Sequence, residues 1–285
     1  MRAFNRVRYQ AWAALMAAMA GLTTAITASA SASLPPGGVF EVDLLFPGNA
    51  TYTPQALMPV VFALQNPSLG LAFDASIGWA LWEGNNRSSP GSVVGGGLEL
   101  NDLNLTNNPL QVLLHRIVNT ISYPDGVWTL AWTLYFYNCT PPEAEPGPQG
   151  LEYSSSTTFT VSASGQAPDL VAATSAEMCG TTNGIAINAT SFQTDQVPCG
   201  VLAPNNATAN PCAATINSAA ASSIYAQATA AACLPSQARE QYPNVTCPTS
   251  TSKPSASSPD AAGRIAAAET LLMLLAMFTA LIHLR

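Results

Sequence analysis

Apolar residues alternate with polar ones between positions 39 and 162. Turns rich in Pro, Gly and Asn separate the alternating runs, and all six cysteines fall after residue 138. Together these observations predict a mainly β chain: an immunoglobulin- or fibronectin-III-like antiparallel β-sandwich, with a disulfide-stapled C-terminal extension containing one Ala-rich helix. The predicted organisation is a signal peptide (1–32), a sandwich (33–175), a cysteine-rich extension packed on it (176–247), a Ser/Thr/Pro stalk (248–260) and an attachment propeptide (261–285).

The strands follow in order. Phe40, Val42, Leu44 and Phe46 share one face, and Glu41 and Asp43 the other, read as a solvated strand face. Val60, Phe62 and Leu64 repeat the pattern, as do Ile77, Trp79 and Leu81. A longer run covers 112–121. The clearest run covers 127–138, with Trp128, Leu130, Trp132, Leu134 and Phe136 on one face and Tyr135 and Tyr137 on the other. Thr158 to Val161 closes the set. One-faced strands cannot bury an apolar side singly, so two packed sheets are expected, with Trp79, Trp128 and Trp132 between them. Further on, Ile216, Ala220, Ile224 and Ala228 recur every four residues behind Asn217 or Ser218, a helix with an N-cap.

The ends point to export. Arg2, Arg6 and Arg8 precede an apolar stretch from Trp12 to Ala25 and two overlapping Ala-Ser-Ala cleavage options. Near the other end, the apolar run Leu271 to Ile282 is short for a membrane span but long enough for a GPI-attachment tail. Small residues upstream make Asp260 and Ser257 the candidate lipidation sites. Export also explains the cysteines: Cys139, Cys179, Cys199, Cys212, Cys233 and Cys247 include no C-x-x-C pair, so three disulfides are expected, with the pairing open among 15 connectivities. N-x-S/T sequons at Asn49, Asn86, Asn104, Asn138, Asn188, Asn206 and Asn244 predict a glycosylated surface.

Charged residues make up only 9 % of the chain, and the formal net charge is -7. Five of the nine Lys+Arg lie in the terminal segments, leaving Arg87, Arg116, Arg239 and Lys253. No basic patch is available for a nucleic acid. With the ends removed, His115 is the one histidine. That arithmetic excludes a multi-imidazole metal site within one chain, and no G-x-S-x-G elbow accompanies His115, so neither a cofactor nor a metal is expected. Glycoside hydrolysis needs only two carboxylates, and the candidates are Glu41, Asp43, Asp74, Glu83, Glu99, Asp102, Asp125 and Asp169. Carbohydrate binding without catalysis wants exposed flat rings, and Trp82, Tyr135 and Tyr137 are predicted to supply them.

The segment from Phe40 to Pro54, FEVDLLFPGNATYTP, carries a recognisable pattern. So do PVVFALQNP from Pro59, APDLVA from Ala167 and NSAAASSI from Asn217. Across residues 38 to 247 the chain resembles an uncharacterised family of secreted filamentous-fungal proteins, classified only as a domain of unknown function. The resemblance implies a fungal surface or secreted protein, often GPI-tailed, and brings no catalytic residues. The expected function is a GPI-anchored fungal cell-surface or cell-wall glycoprotein with a structural or adhesive role, held to the membrane through lipid. The alternatives are a module that binds cell-wall or plant polysaccharide and a carboxylate-dependent glycosidase.

Overall fold

The structure is a computed structural model. It describes residues 34–88, 94–103, 105, 109–139, 147–179, 183–194, 197–205, 207–234 and 242–247. The strands are β1 (Gly38–Phe46), β2 (Thr51–Tyr52), β3 (Met58–Gln65), β4 (Ser76–Glu83), β5 (Val94–Glu99), β6 (Gln111–Val118), β7 (Gly126–Asn138), β8 (Gln149–Val161), β9 (Asn183–Gln193) and β10 (Cys199–Leu202). The α-helices are α1 (Pro67–Ala72), α2 (Leu170–Ala173) and α3 (Ser218–Ala232).

The strands form one mixed sheet in the order β2-β8-β7-β10-β9-β1-β3-β6, with β4 paired to β7 and β5 to β4. The expectation of a purely antiparallel arrangement is corrected here, because β2 runs parallel to β8 and β10 parallel to β7. Alternation encodes which face a side chain takes, not the direction of its partner strand, so the sequence carried no signal for these two pairings. β9 lies between β1 and β10, and both β9 and β10 come from the stretch set apart in sequence as an extension. β9 and β10 complete the sheet, while residues 209–216 and 218–232 of the same stretch lie on it.

β3 and β7 stand four places apart in the order. A flat sheet would separate them by about 19 Å at about 4.8 Å per strand. Instead the Phe62 ring of β3 meets the Trp132 ring of β7 edge-on, with centroids 5.6 Å apart and planes at 70°. The sheet therefore doubles over and brings the β5-β4-β7-β8 half against the β9-β1-β3-β6 half. Trp128, Trp132 and Phe136 line the interior from β7, with Phe40 and Phe62 from the other half, all essentially without solvent contact. Trp79 is buried as well.

β1 and β3 are buried on both faces. One face meets the doubled sheet, and residues 209–216 and α3 cover the other. Asn217 caps α3 by accepting the Ala220 N–H at 2.9 Å, and Ile224, Ala228 and Ala232 form its buried stripe. The disulfides join Cys139 to Cys199, Cys179 to Cys212 and Cys233 to Cys247. The first ties the end of β7 to the start of β10, where the Cys139 N–H also donates to the Gly200 carbonyl at 2.9 Å.

The predicted signal peptide, stalk and attachment propeptide lie outside the described residues, as do Asn104, Asn206, Ser257 and Asp260. Asn49, Asn86 and Asn244 are exposed, while Asn138 and Asn188 are half-buried. Among the described residues, no helix is long and apolar enough to cross a membrane.

Candidate functional site

Directly paired residues of antiparallel strands share a sheet face. Reading the register across the outer face of the β5-β4-β7-β8 half gives one row composed of Glu99, Ser76, Tyr135 and Glu152. The next row is Gly97, Gly78, Thr133 and Ser154, and the one after it Gly95, Ala80, Ala131 and Ser156. Two successive rows thus lack any large side chain. The Thr133 and Ser154 hydroxyls bond each other across the floor at 2.8 Å.

The first row opens into a cleft of about 520 Å³ whose lining includes Asp74, Glu99, Asn101, Tyr135, Tyr137 and Glu152. The turn after α1 supplies one wall. The Tyr137 N–H donates to the Phe73 carbonyl at 3.0 Å, which brings the next residue, Asp74, to the rim. Asp74 has a left-handed backbone (φ 51), and its Oδ1 accepts a hydrogen bond from Asn101 Nδ2. Tyr135 leans over β4, where the absence of a side chain at Gly78 makes room for its ring. It stays 44 % exposed.

Of the three rings expected to face solvent, Tyr135 is exposed, Tyr137 is half-buried, and both line this cleft. Trp82 requires correction. It is only 9 % exposed, and the Arg87 guanidinium carbon stands 5.9 Å from its ring centroid. Trp82 shares a row with Thr129 and Thr158, six residues along β7 from Tyr135, roughly 20 Å away.

The carboxylates divide by environment. Asp74 and Glu99 reach the cleft and are joined there by Glu152, which sequence reasoning did not single out. Its signal was the alternation through 149–157, masked by a run of serines and threonines on both faces. Asp169 caps α2 by accepting the Val171 and Ala172 N–H groups at 3.0 Å each. Glu41 and Asp43 are not on a solvated face: Glu41 is 4 % exposed and Asp43 0 %, because residues 209–211 close over them. Asn210 N–H donates to Glu41 Oε1, and Gln65 Nε2 donates to Asp43 Oδ2 at 2.8 Å. Neither residue lines the cleft, so these two of the eight candidate carboxylates have no access to a substrate there.

His115 lies half-buried on β6, and burial and the adjacent Arg116 lower its pKa. Among the described residues, no group of three or more His, Cys, Asp or Glu is placed to hold a metal ion. A second cavity, of about 340 Å³, has a more apolar lining that includes Phe46, Tyr52, Ala173 and Met178.

A family model described as "Domain of unknown function (DUF7136)" matches residues 36–247. The chain belongs to this family. The match begins just before β1 and ends on the last cysteine, so the DUF7136 region takes in every strand, α3 and all three disulfides. No curated protein matches the chain. Within the DUF7136 region the cleft at Tyr135 combines an exposed ring, carboxylates and an amide, and the rows of small residues continue the same sheet face beyond it.

Proposed function

We propose that this DUF7136 protein is an exported surface glycoprotein that binds an uncharged polysaccharide chain on the outer face of the β5-β4-β7-β8 half. The observation that carries this reading is the exposed Tyr135 ring at the head of two rows of Gly, Ala, Ser and Thr. A flat ring offers an apolar platform to a sugar face. Beyond it, a floor without bulky side chains leaves space for further units, and the Thr133, Ser154 and Ser156 hydroxyls and the rim carboxylates offer partners to sugar hydroxyls. Among the described residues, no Lys or Arg lines the cleft, which disfavours anionic glycans and nucleic acid.

Between Glu99 and Glu152 spacing favours binding over hydrolysis, and the third carboxylate of the cleft, Asp74, is bonded to Asn101. Glu99 and Glu152 stand three strands apart in one row, about 14 Å between backbones. Glycosidase carboxyl pairs lie about 5–10 Å apart. The doubled sheet is read as a sandwich of the immunoglobulin or fibronectin-III kind. The sequons, the predicted leader and tail and the Ser/Thr/Pro-rich stretch support a fungal protein held at the plasma membrane or cell wall by a GPI anchor, with an adhesive or structural role.

Retention on insoluble glucan, chitin and cellulose tests the binding. Wild type is expected on at least one of them, and Tyr135→Ala is expected to pass through. Wild-type flow-through on all three rejects the reading. Release from membranes by a phosphatidylinositol-specific phospholipase tests the anchor separately, and a membrane-bound chain that keeps its C-terminal peptide after treatment refutes it.

A further inference from the structure

The saccharide cleft leaves the pair on β1 unused. Glu41 and Asp43 lie two residues apart on one strand and so on one face. Three uncharged elements enclose them. β3 contributes Gln65, whose Nε2 donates both to Asp43 Oδ2 and to the Asn210 carbonyl, the latter at 3.1 Å. β9 contributes Gly184, where even a Cβ would collide with Asp43 Oδ1 and come within 2.9 Å of Ala209 Cβ. The segment 207–213 contributes the Asn210 N–H that donates to Glu41. β3, β9 and residues 207–213 contain no titratable side chain, since Cys212 is in a disulfide. Among the described residues, the one charged group acting on Asp43 is therefore Glu41.

Two like charges in so dry a place cannot both be held. Asp43 Oδ1 is buried and accepts no N–H. Glu41 is the neighbour that can bond the Asp43 carboxyl, and a bond between two carboxyls requires a proton. Glu41 holds the Asn210 N–H, and Gln65, which also bonds Asp43, holds its carbonyl.

We propose that Asp43, beside Glu41, is a proton-operated latch, which holds residues 207–213 on β1 while Asp43 keeps its proton and frees that segment when that proton leaves. The Cys179–Cys212 disulfide keeps the segment tethered, so opening is local and reversible. Burial, and after it the bond to Glu41, push Asp43 from 3.8 up to about 8, against the opposing bond from Gln65. The latch is shut in acid and opens as the pH rises through this range.

Hydrogen–deuterium exchange on the full, disulfide-intact chain, corrected for intrinsic rates, tests this between pH 5 and pH 9.5. The Asn210 amide is expected to lose at least tenfold in protection over that interval, while the β7 amides keep theirs. Asp43→Asn replaces the ionising group with a neutral one of the same shape and is expected to keep Asn210 protected at pH 9.5. Should that variant fail to fold, Glu41→Gln serves in its place, because it leaves a single ionising group with an amide donor beside it, and the same persistence is expected. Equal wild-type protection at both pH values overturns the latch. So does a loss that includes β7, or a folded variant that opens as wild type does.

Discussion

The ring of Tyr135 lies across Gly78, and a Cβ built on Gly78 would stand 3.0 Å from Tyr135 Cε2. The glycine is what allows the tyrosine to lie along the sheet beside the floor of the cleft. Gly78 lies within a strand without a positive φ, so a β-branched residue there suits the backbone and disturbs only the ring. Gly78→Val is expected to weaken saccharide binding by about 1 kcal/mol, the order of an aromatic contact, or roughly fivefold in Kd. Its thermal midpoint should stay close to that of wild type. Calorimetric titration with scanning calorimetry on the same samples checks both, and a variant that binds as tightly as wild type removes Gly78 from the account.

The doubled sheet depends on apolar contact between its halves, and Phe62 meets Trp132 across it. Phe62→Ala deletes a fully buried ring and is expected to destabilise the fold by about 3–5 kcal/mol. Urea unfolding followed by tryptophan fluorescence gives the value. A loss below about 1 kcal/mol contradicts the packing described.

Cys139–Cys199 closes a loop of 60 residues and Cys233–Cys247 one of 14. Chain entropy gives about 4 kcal/mol for the longer loop and about 3 for the shorter. The first also secures β10 to β7, where a single residue pair joins the strands. The double variant Cys139→Ala, Cys199→Ala should therefore lose more stability in urea than Cys233→Ala, Cys247→Ala. The reverse order overturns this.

Stability should fall as the pH rises from 6.5 to about 8. In the unfolded chain Asp43 titrates near 3.8, and in the fold it is raised to about 8. Its contribution is thus complete below 3.8 and is lost as the pH climbs to about 8. His115 acts in the opposite sense: its folded pKa is lowered, so its contribution is present above 6.5 and is lost as the pH falls. The window from 6.5 to 8 isolates Asp43 from that opposing slope. Urea midpoints measured across it should decline for wild type and stay flat for Asp43→Asn, and a wild-type midpoint that rises there contradicts the raised pKa.

What could be read from the sequence followed side-chain contrast. Trp128, Leu130 and Trp132 alternate with Thr129 and Ala131, and that run forms the longest interior strand face. The α3 stripe and its Asn217 cap were equally legible. β5 and β9 were not, because Gly95, Gly96 and Gly97 carry no side chain to alternate, and Asn, Ala and Thr dilute the pattern from Asn183 to Gln193. Within the cleft, Tyr135 and Tyr137 could be picked out because they oppose the tryptophan face. Trp82 could not be sorted from them: it also opposes that face, and its cover comes from Arg87 on a turn. Glu41 and Asp43 look like a wet strand face, since alternation says nothing about a segment 169 positions later in the chain closing over them.

The most direct measurement is a calorimetric titration of wild type and Tyr135→Ala with soluble oligosaccharides cut from whichever polysaccharide retains the protein, over a series of chain lengths. Wild-type affinity is expected to strengthen with length until the two rows of small residues are filled, and to be lost when the ring is removed. Equal affinity in the two proteins, or no heat from wild type with any glucan, chitin or cellulose fragment, would contradict it.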